Sequence, residues 1–498
     1  MLFEDRRLLF VDGHDVERME GVTLRLNPPE KCGPCLLVEH PWEKRVTRAS
    51  VVFRWKGLWR MYYAVVLSEW TRAMALAVSE DGVTWERPQL GAVEFRGSTA
   101  NNLVDIQDLR PDEMCVFVDP NGPEEERIKF VGEWPYVGMW VMTSADGVRF
   151  KRAPGEILRF HLDNHMSVFW DPEIRKYRIY CRGNDAERPI PPAKGSRMVV
   201  YAETEDIFQP IPVEEDRPDR WPPGMRRPGP GGSIIEPLPP INRELPAVLK
   251  CDEQDPPECD LYQSATIHYA PGVYLSFPSI YYHYPAPPEG FINDGVIDVQ
   301  FSASRDGVHW DRSIREPYVR LDLEGGRASR QIHMLIGAVP DGHMLYQYYC
   351  GWDRTHGQDR TPDSPRPKHP VEAGDPIAFR LRQRLDGFVS ADSDYAGGEL
   401  VTRPFEVSGE TIAVNIDTSA SGCARAALLG EDGRELEGYG LADSDLLHAN
   451  DTAHILSWRK SPDVSRLRGR PVRLLLRSRA TKLYAVYPAG PPRPAVSG

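Results

Sequence analysis

The stretch Ser79-Glu80-Asp81-Gly82-Val83-Thr84-Trp85 returns as Ser144-Ala145-Asp146-Gly147-Val148-Arg149-Phe150, and again as Ser304-Arg305-Asp306-Gly307-Val308-His309-Trp310. The shared pattern is S-x-D-G-V-x-aromatic. Asp-Gly closes a hairpin because glycine takes positive φ without strain. The Ser hydroxyl bonds the turn backbone, and the aromatic residue returns the chain to the sheet. An alternating strand, Ala73-Met74-Ala75-Leu76-Ala77-Val78, leads into the first copy. The motif therefore reads as the turn between the third and fourth strands of a four-stranded unit. A degenerate copy falls at Ala202-Glu203-Thr204-Glu205-Asp206-Ile207-Phe208.

Outward from these turns, the first two strands of each unit read as hairpins. They are Ser50–Trp55 with Trp59–Ala64, Met114–Asp119 with Arg127–Gly132, and Ser167–Asp171 with Lys176–Cys181. Two more follow: Ser264–Tyr269 with Val273–Phe277, and Met334–Val339 with Met344–Tyr349. Five hairpins before residue 352, with no sustained 3.6-residue period, predict an all-β chain opening with a five-bladed β-propeller. We place it at 1–375, with a Pro-rich insertion at about 186–258. Short alternating strands after the Pro-rich break at 359–367 predict a C-terminal β-sandwich over 376–490, and a tail at 491–498.

Composition sets limits. The 498 residues carry 60 Lys and Arg against 73 Asp and Glu, a net charge of −13. That opposes general nucleic-acid binding and adhesion to anionic membranes. The start, MLFEDRRLLFVDG, does not read as a signal peptide. The expected compartment is the cytoplasm, or the periplasm or exterior if a leader was removed. Eight cysteines are scattered. Cys32-Gly33-Pro34-Cys35 has redox-dithiol spacing, but Pro41 cuts short the helix that would lower a thiol pKa, so these read as loop thiols. No metal site is expected from Cys251 and Cys259. The channel could take a structural calcium or other ion on carboxylates and carbonyls, although no EF-hand-like loop announces one, and no cofactor is expected. Nothing here fixes an oligomeric state.

The repeats, together with Leu9-Phe10-Val11-Asp12-Gly13, Asn101-Asn102-Leu103-Val104, Arg384-Leu385-Asp386-Gly387-Phe388-Val389-Ser390 and Ile416-Asp417-Thr418-Ser419-Ala420, span almost the whole chain. In these the sequence resembles the glycoside hydrolases of families 32, 43 and 68, and more closely a group of uncharacterised glycosyl-hydrolase-like bacterial proteins. The resemblance implies cleavage of a glycosidic bond in an oligo- or polysaccharide of plant, algal or microbial origin, with release from chain ends. Family 32 would also bring a W-M-N-D-P-N-G motif. Asp119-Pro120-Asn121-Gly122 echoes it, but lies where a hairpin turn belongs.

Glycoside hydrolysis needs two carboxyls, one protonated and one ionised. In a propeller the entry ends of the first strands converge, so polar groups there are the candidates. The catalytic candidates are Asp163, Asp260 and Asp294. Glu43, Arg48, Arg72, Asn164, His165, Tyr262, Asp298 and His333 are the substrate-binding candidates. The run Ser279-Ile280-Tyr281-Tyr282-His283-Tyr284 leads from a core strand toward Asp294 and is expected to face substrate. Two alternatives stay open: a phosphorylase using Arg48, Arg72, Arg182 and His333, or a non-catalytic carbohydrate-binding propeller.

Overall fold

The three S-x-D-G turns are built alike. Ser79 Oγ accepts the Gly82 N–H at 2.9 Å, and Asp81 Oδ1 accepts those of Val83 and Thr84 at 2.7 and 2.8 Å. Ser144 with Asp146, and Ser304 with Asp306, make the same set of bonds. The glycines lie at φ +69°, +73° and +74°. A tyrosine then bolts each turn from a neighbouring unit. Tyr62 Oη donates to Gly147 O at 3.0 Å, Tyr180 Oη to Gly307 O at 2.8 Å, and Tyr348 Oη to Gly82 O. A Cβ at Gly147 would stand 2.5 Å from that Tyr62 hydroxyl, so sterics and backbone conformation both demand glycine. The degenerate copy at 204–208 has no glycine, and the strand Ile128–Trp134 of the preceding unit has no tyrosine. Both halves of the bolt are missing together.

The computed structural model describes all residues except 44–45, 68–71, 108–113, 135–137, 160–165, 185–196, 213–226, 229–233, 236–244, 257–258, 284–293, 357–372 and 492–498. Among the described residues the chain is all-β, with a few single-turn 3-10 helices and no α-helix. No helix is long and apolar enough to cross a membrane.

Antiparallel meanders follow one another. Unit one is Val46–Trp55, Leu58–Val66, Arg72–Ser79 and Leu103–Val104; unit two is Met114–Val118, Ile128–Trp134, Gly138–Ser144 and Lys151–Leu158. Unit three is Ser167–Asp171, Lys176–Asn184, Arg197–Thr204 and Ala247–Leu249. Unit four is Cys259–Ala270, Val273–Tyr282, Ser302–Ser304 and Trp310–Asp311. In unit five, Gln331–Met334 and Val339–Asp341 pair with Met344–Trp352, which pairs with Pro376–Arg384, and Glu30–Leu37 completes the sheet. The first strands of successive units touch in order, and the last returns to the first: Val52 N donates to Ile336 O at 2.8 Å.

Strand pairing divides the chain differently from the expected boundary at 375. Pro376–Arg384 belongs to unit five, whereas Leu8–Leu9, Val16–Glu20 and Val22–Leu26 pair with the C-terminal strands. The segment expected as an insertion at 186–258 likewise holds the last two strands of unit three. The C-terminal strands form two antiparallel sheets over a shared core. Leu8, Val414, Ile416, Leu483 and Val486 come from one, and Leu400, Ala426, Leu428, Leu474 and Leu476 from the other. Alternation along each strand supplies that apolar face.

Cys32 and Cys35 lie on the strand Glu30–Leu37, with no helix after them, and burial pushes the Cys35 thiol up to about 12. That is the reverse of an activated dithiol. Asp119 Oδ1 accepts the Asn121 N–H at 3.0 Å while Oδ2 takes the Tyr177 hydroxyl at 2.7 Å, so the D-P-N-G segment is a turn.

Candidate functional site

Units four and five share one continuous sheet. Val296–Val299 runs antiparallel to Val273–Tyr282 and meets Gln331–Met334 in parallel at Ile297↔Gln331. The register sets a row across five strands: Asp260↔Tyr281↔Ile297↔Gln331↔Trp352. Residues opposite one another in such a row share a face. The row lies beside the entry end of two first strands.

Asp260 is fully buried at the start of its strand. Its Oδ2 lies 2.5 Å from Arg197 Nη1 and 2.9 Å from His283 Nε2, and its Oδ1 accepts the Arg197 backbone N–H at 3.2 Å. Burial raises this carboxyl's pKa, but the His283 bond and the Arg197 charge outweigh it, and the net shift is downward. Asp260 is therefore ionised near neutrality.

A bulge between Leu261 and Gln263 leaves Tyr262 out of the ladder and re-aims it. Arg182 Nε donates to its freed carbonyl at 3.0 Å. The Arg182 guanidinium sits 4.7 Å from the Tyr262 ring centre, and that of Arg197 5.6 Å. Tyr262 Oη lies 2.9 Å from His356 Nε2. The ring meets Tyr281 edge-on at 5.5 Å and His333 at 5.6 Å, and His333 meets Trp352 at 5.4 Å. Tyr281 packs on His283 at 4.1 Å. The Tyr281 phenol is pushed upward by burial; Arg197 opposes this, and Tyr262, Asp294 and Asp260 reinforce it. Asp260 stands opposite Tyr281 in the ladder, and Asp294 precedes Gly295, where a Cβ would lie 1.9 Å from the Tyr282 carbonyl oxygen and 3.0 Å from the His283 Cα. Asp294 is buried, its Oδ1 accepts the Gly295 N–H at 2.7 Å, and the Gly295 carbonyl accepts the His356 N–H at 3.0 Å.

Of the residues expected from sequence, Asp260, Asp294, Tyr262 and His333 are brought together. Asp298 is not. It pairs opposite Ile280, one position from Ile297, so it points to the other face of the sheet from Asp260. Burial lifts its carboxyl to about 6 against a bond from Tyr282 and the charge of Arg320. Glu43 is enclosed away from this cluster. Its oxygens accept the Glu39 and His40 N–H groups, the Tyr63 hydroxyl at 2.6 Å and Arg87 Nε at 2.6 Å. That placement closes unit one rather than offering a carboxylate to a sugar. Asp163, Asn164 and His165 lie outside the described residues, and Arg48 and Arg72 sit on strands whose side chains there are likewise undescribed.

Sequence reasoning missed Arg197, His283 as a partner of Asp260, and His356. Only His283 had a signal, its place in the aromatic run before Asp294. Among the described residues, two groups could collect a metal ion by geometry, Cys251 with Asp255 and Cys259, and Asp171 with Glu173 and His268. In each a guanidinium already sits on the aspartate: Arg312 and Arg315 at 2.9 Å on Asp255, and Arg178 at 2.5 Å on Asp171. A fixed positive charge there competes with a cation.

No family model matches the chain, and no curated protein matches it in sequence. Solved structures resemble it distantly. A Bombyx mori GH32 β-fructofuranosidase is 9% identical, with 92% of this chain and 94% of that one covered, at a TM-score of 0.39. The catalytic domain of a Coprinopsis cinerea GH62 α-L-arabinofuranosidase is 10% identical, with 72% and 98% covered, at 0.41. An N-acetylgalactosamine deacetylase from F. plautii, in complex with blood group B trisaccharide, is 12% identical, with 74% and 95% covered, at 0.40. Glycosidases and a deacetylase stand side by side at these scores, so the likeness selects no reaction.

Proposed function

We propose that the chain is a glycoside hydrolase acting on an oligo- or polysaccharide at the seam of units four and five. One observation carries this reading: two buried carboxylates from separate segments come to His283, Asp260 through its ring and Asp294 through the next residue, Gly295, which packs on the Tyr282–His283 backbone, beside a wall of Tyr262, Tyr281, His333 and Trp352. Aromatic faces suit the C–H faces of sugars. The two-carboxylate chemistry divides the roles: Asp260, held ionised, serves the attacking side, and Asp294 serves as the acid toward the leaving oxygen. Asp163 stays a third candidate for the screen below. Release from chain ends is part of the proposal.

The test is hydrolysis of a broad panel of aryl-glycosides and natural oligosaccharides by wild type, Asp260→Asn, Asp294→Asn and Asp163→Asn. Release of one sugar that Asp260→Asn or Asp294→Asn abolishes supports the proposal. Loss only in Asp163→Asn moves the chemistry elsewhere. A second reading, phosphorolysis, draws on the buried Arg182 and Arg197 against the Tyr262 ring. It predicts release only when inorganic phosphate is added. Binding of a glycan without turnover would indicate a carbohydrate-binding propeller.

A further inference from the structure

We infer that His283, oriented by Asp260, is the group that takes the proton from the attacking water, an assignment that rests on the hydrolase reading above. The argument begins with proton bookkeeping. An ionised carboxylate only accepts hydrogen bonds. Asp260 Oδ2 lies 2.9 Å from His283 Nε2, so Nε2 carries the hydrogen and donates it. In the neutral ring Nδ1 is then the bare nitrogen. His283 is almost wholly buried, and its Nδ1 has no partner among the described residues. A buried acceptor left unpaired is costly, a cost tolerated where a ligand or water completes the bond.

The surroundings fit that role. The ring lies 4.1 Å from that of Tyr281, and Gly295, next to Asp294 in the chain, packs on the Tyr282–His283 backbone. Asp260 itself is poorly placed to attack carbon. Its oxygens already accept the Arg197 Nη1–H, the Arg197 backbone N–H and the His283 Nε2–H. A carboxylate so engaged holds an imidazole in one tautomer and stabilises the imidazolium. Asp260 is thus a positioning residue and His283 the base.

The step balances as hydrolysis. Water oxygen bonds to the anomeric carbon while His283 Nδ1 takes a water proton. The glycosidic C–O bond breaks with its electron pair on the leaving oxygen, which receives the proton of the Asp294 carboxyl. Solvent then carries the imidazolium proton back to Asp294. The groups on this imidazole are Asp260 from the first strand of unit four and Tyr281, two residues before it; Arg197 from unit three shares Asp260 and lies over Tyr281, and the His356 ring packs on Tyr281.

Two measurements test the assignment. Long-range 1H–15N NMR of the whole protein, with His283 identified by its loss in His283→Gln, should show hydrogen on Nε2 and a bare Nδ1 near neutral pH. The opposite tautomer overturns the inference, and His283→Asn supplies the assignment if His283→Gln folds poorly. Kinetically, His283→Gln keeps an amide able to donate to Asp260 but removes Nδ1. We expect kcat to fall about 10²–10⁴-fold with KM little changed. An active His283→Gln beside an inactive Asp260→Asn overturns this assignment alone. A wild type silent on every glycoside overturns the hydrolase reading, and this inference with it.

Discussion

Asp260 and Asp386 are both buried aspartates on an arginine, and their shells differ. Asp386 sits at φ +55° in the turn before Val389–Ser393, where Arg7 Nη1 lies 3.0 and 3.1 Å from its two oxygens. Tyr269 Oη reaches Oδ1 at 2.6 Å and Tyr487 Oη reaches Oδ2 at 2.6 Å. Four parts of the chain meet there: the N-terminal segment, the first strand of unit four, the turn and the last strand. Every donor on Asp386 is a fixed part of the packing. Asp260 also has its guanidinium, but its third donor is an imidazole with one nitrogen unmatched. Arg7 Nε and Nη2 likewise lack an acceptor among the described residues, but they carry hydrogens and the guanidinium lies 3.7 Å over the Phe3 ring, whereas the unmatched imidazole nitrogen is a base that an outside molecule can use.

The largest test of this contrast is Asp386→Ala. Removing one member of a buried ion pair strands the other, and we expect about 3–5 kcal/mol lost in denaturant unfolding. A loss below about 1 kcal/mol would break the comparison. Asp260→Asn should do the reverse. It keeps an acceptor toward Arg197, so stability should fall by only about 1–2 kcal/mol, while turnover drops about 10²–10⁴-fold.

Asp298 sharpens the contrast with a carboxylate that has no guanidinium bonded to it among the described residues. Its folded pKa, about 6, lies above its unfolded value, so the folded state binds the proton more tightly. The penalty is absent below the ordinary carboxylate range, grows as pH rises toward 6, and is constant above. Asp298→Asn should therefore stabilise the protein by up to about 2 kcal/mol at pH 8 and leave it unchanged near pH 3.5. Melting at both pH values checks this. Asp260, with its lowered pKa, has the opposite sign: its contribution is full above the unfolded value and lost as pH falls through the folded one. The smallest effect expected is Tyr62→Phe, which removes the bolt on Gly147 O and should cost about 1 kcal/mol. No change in unfolding free energy would show that the turn needs only its own bonds.

The repeated units were legible because their turns need rare chemistry: a glycine at positive φ with Ser and Asp at fixed offsets. Asp260, Tyr262, Asp294 and His333 were legible as polar residues beside the ends of apolar strands. Asp298 was not. Which way a strand residue points depends on register, and Val296–Val299 takes its register from two neighbours at once. Glu43 was misread because a short Trp-Glu segment gives no sign that its carboxylate folds back over the Glu39 and His40 amides. The domain boundary was missed because Leu8↔Val486 pairs residues from opposite ends of the sequence, which no local pattern reports.

That unit five is completed by Glu30–Leu37 has a consequence for the nascent chain. This strand leaves the ribosome early, and its partner Pro376–Arg384 comes 338 residues behind it, counting the residues between 37 and 376. At 5–20 residues per second the wait is roughly 20–70 s. For that time its backbone groups stand open to any other strand. Lys31, Gly33 and Pro34 lie within it, residues that weaken pairing with strangers. The register shifts seen where it finally docks show the native partner accommodating the same irregularity. The Gly-Pro centre of the segment that resembled a redox motif thus makes this strand a poor template for others during that wait.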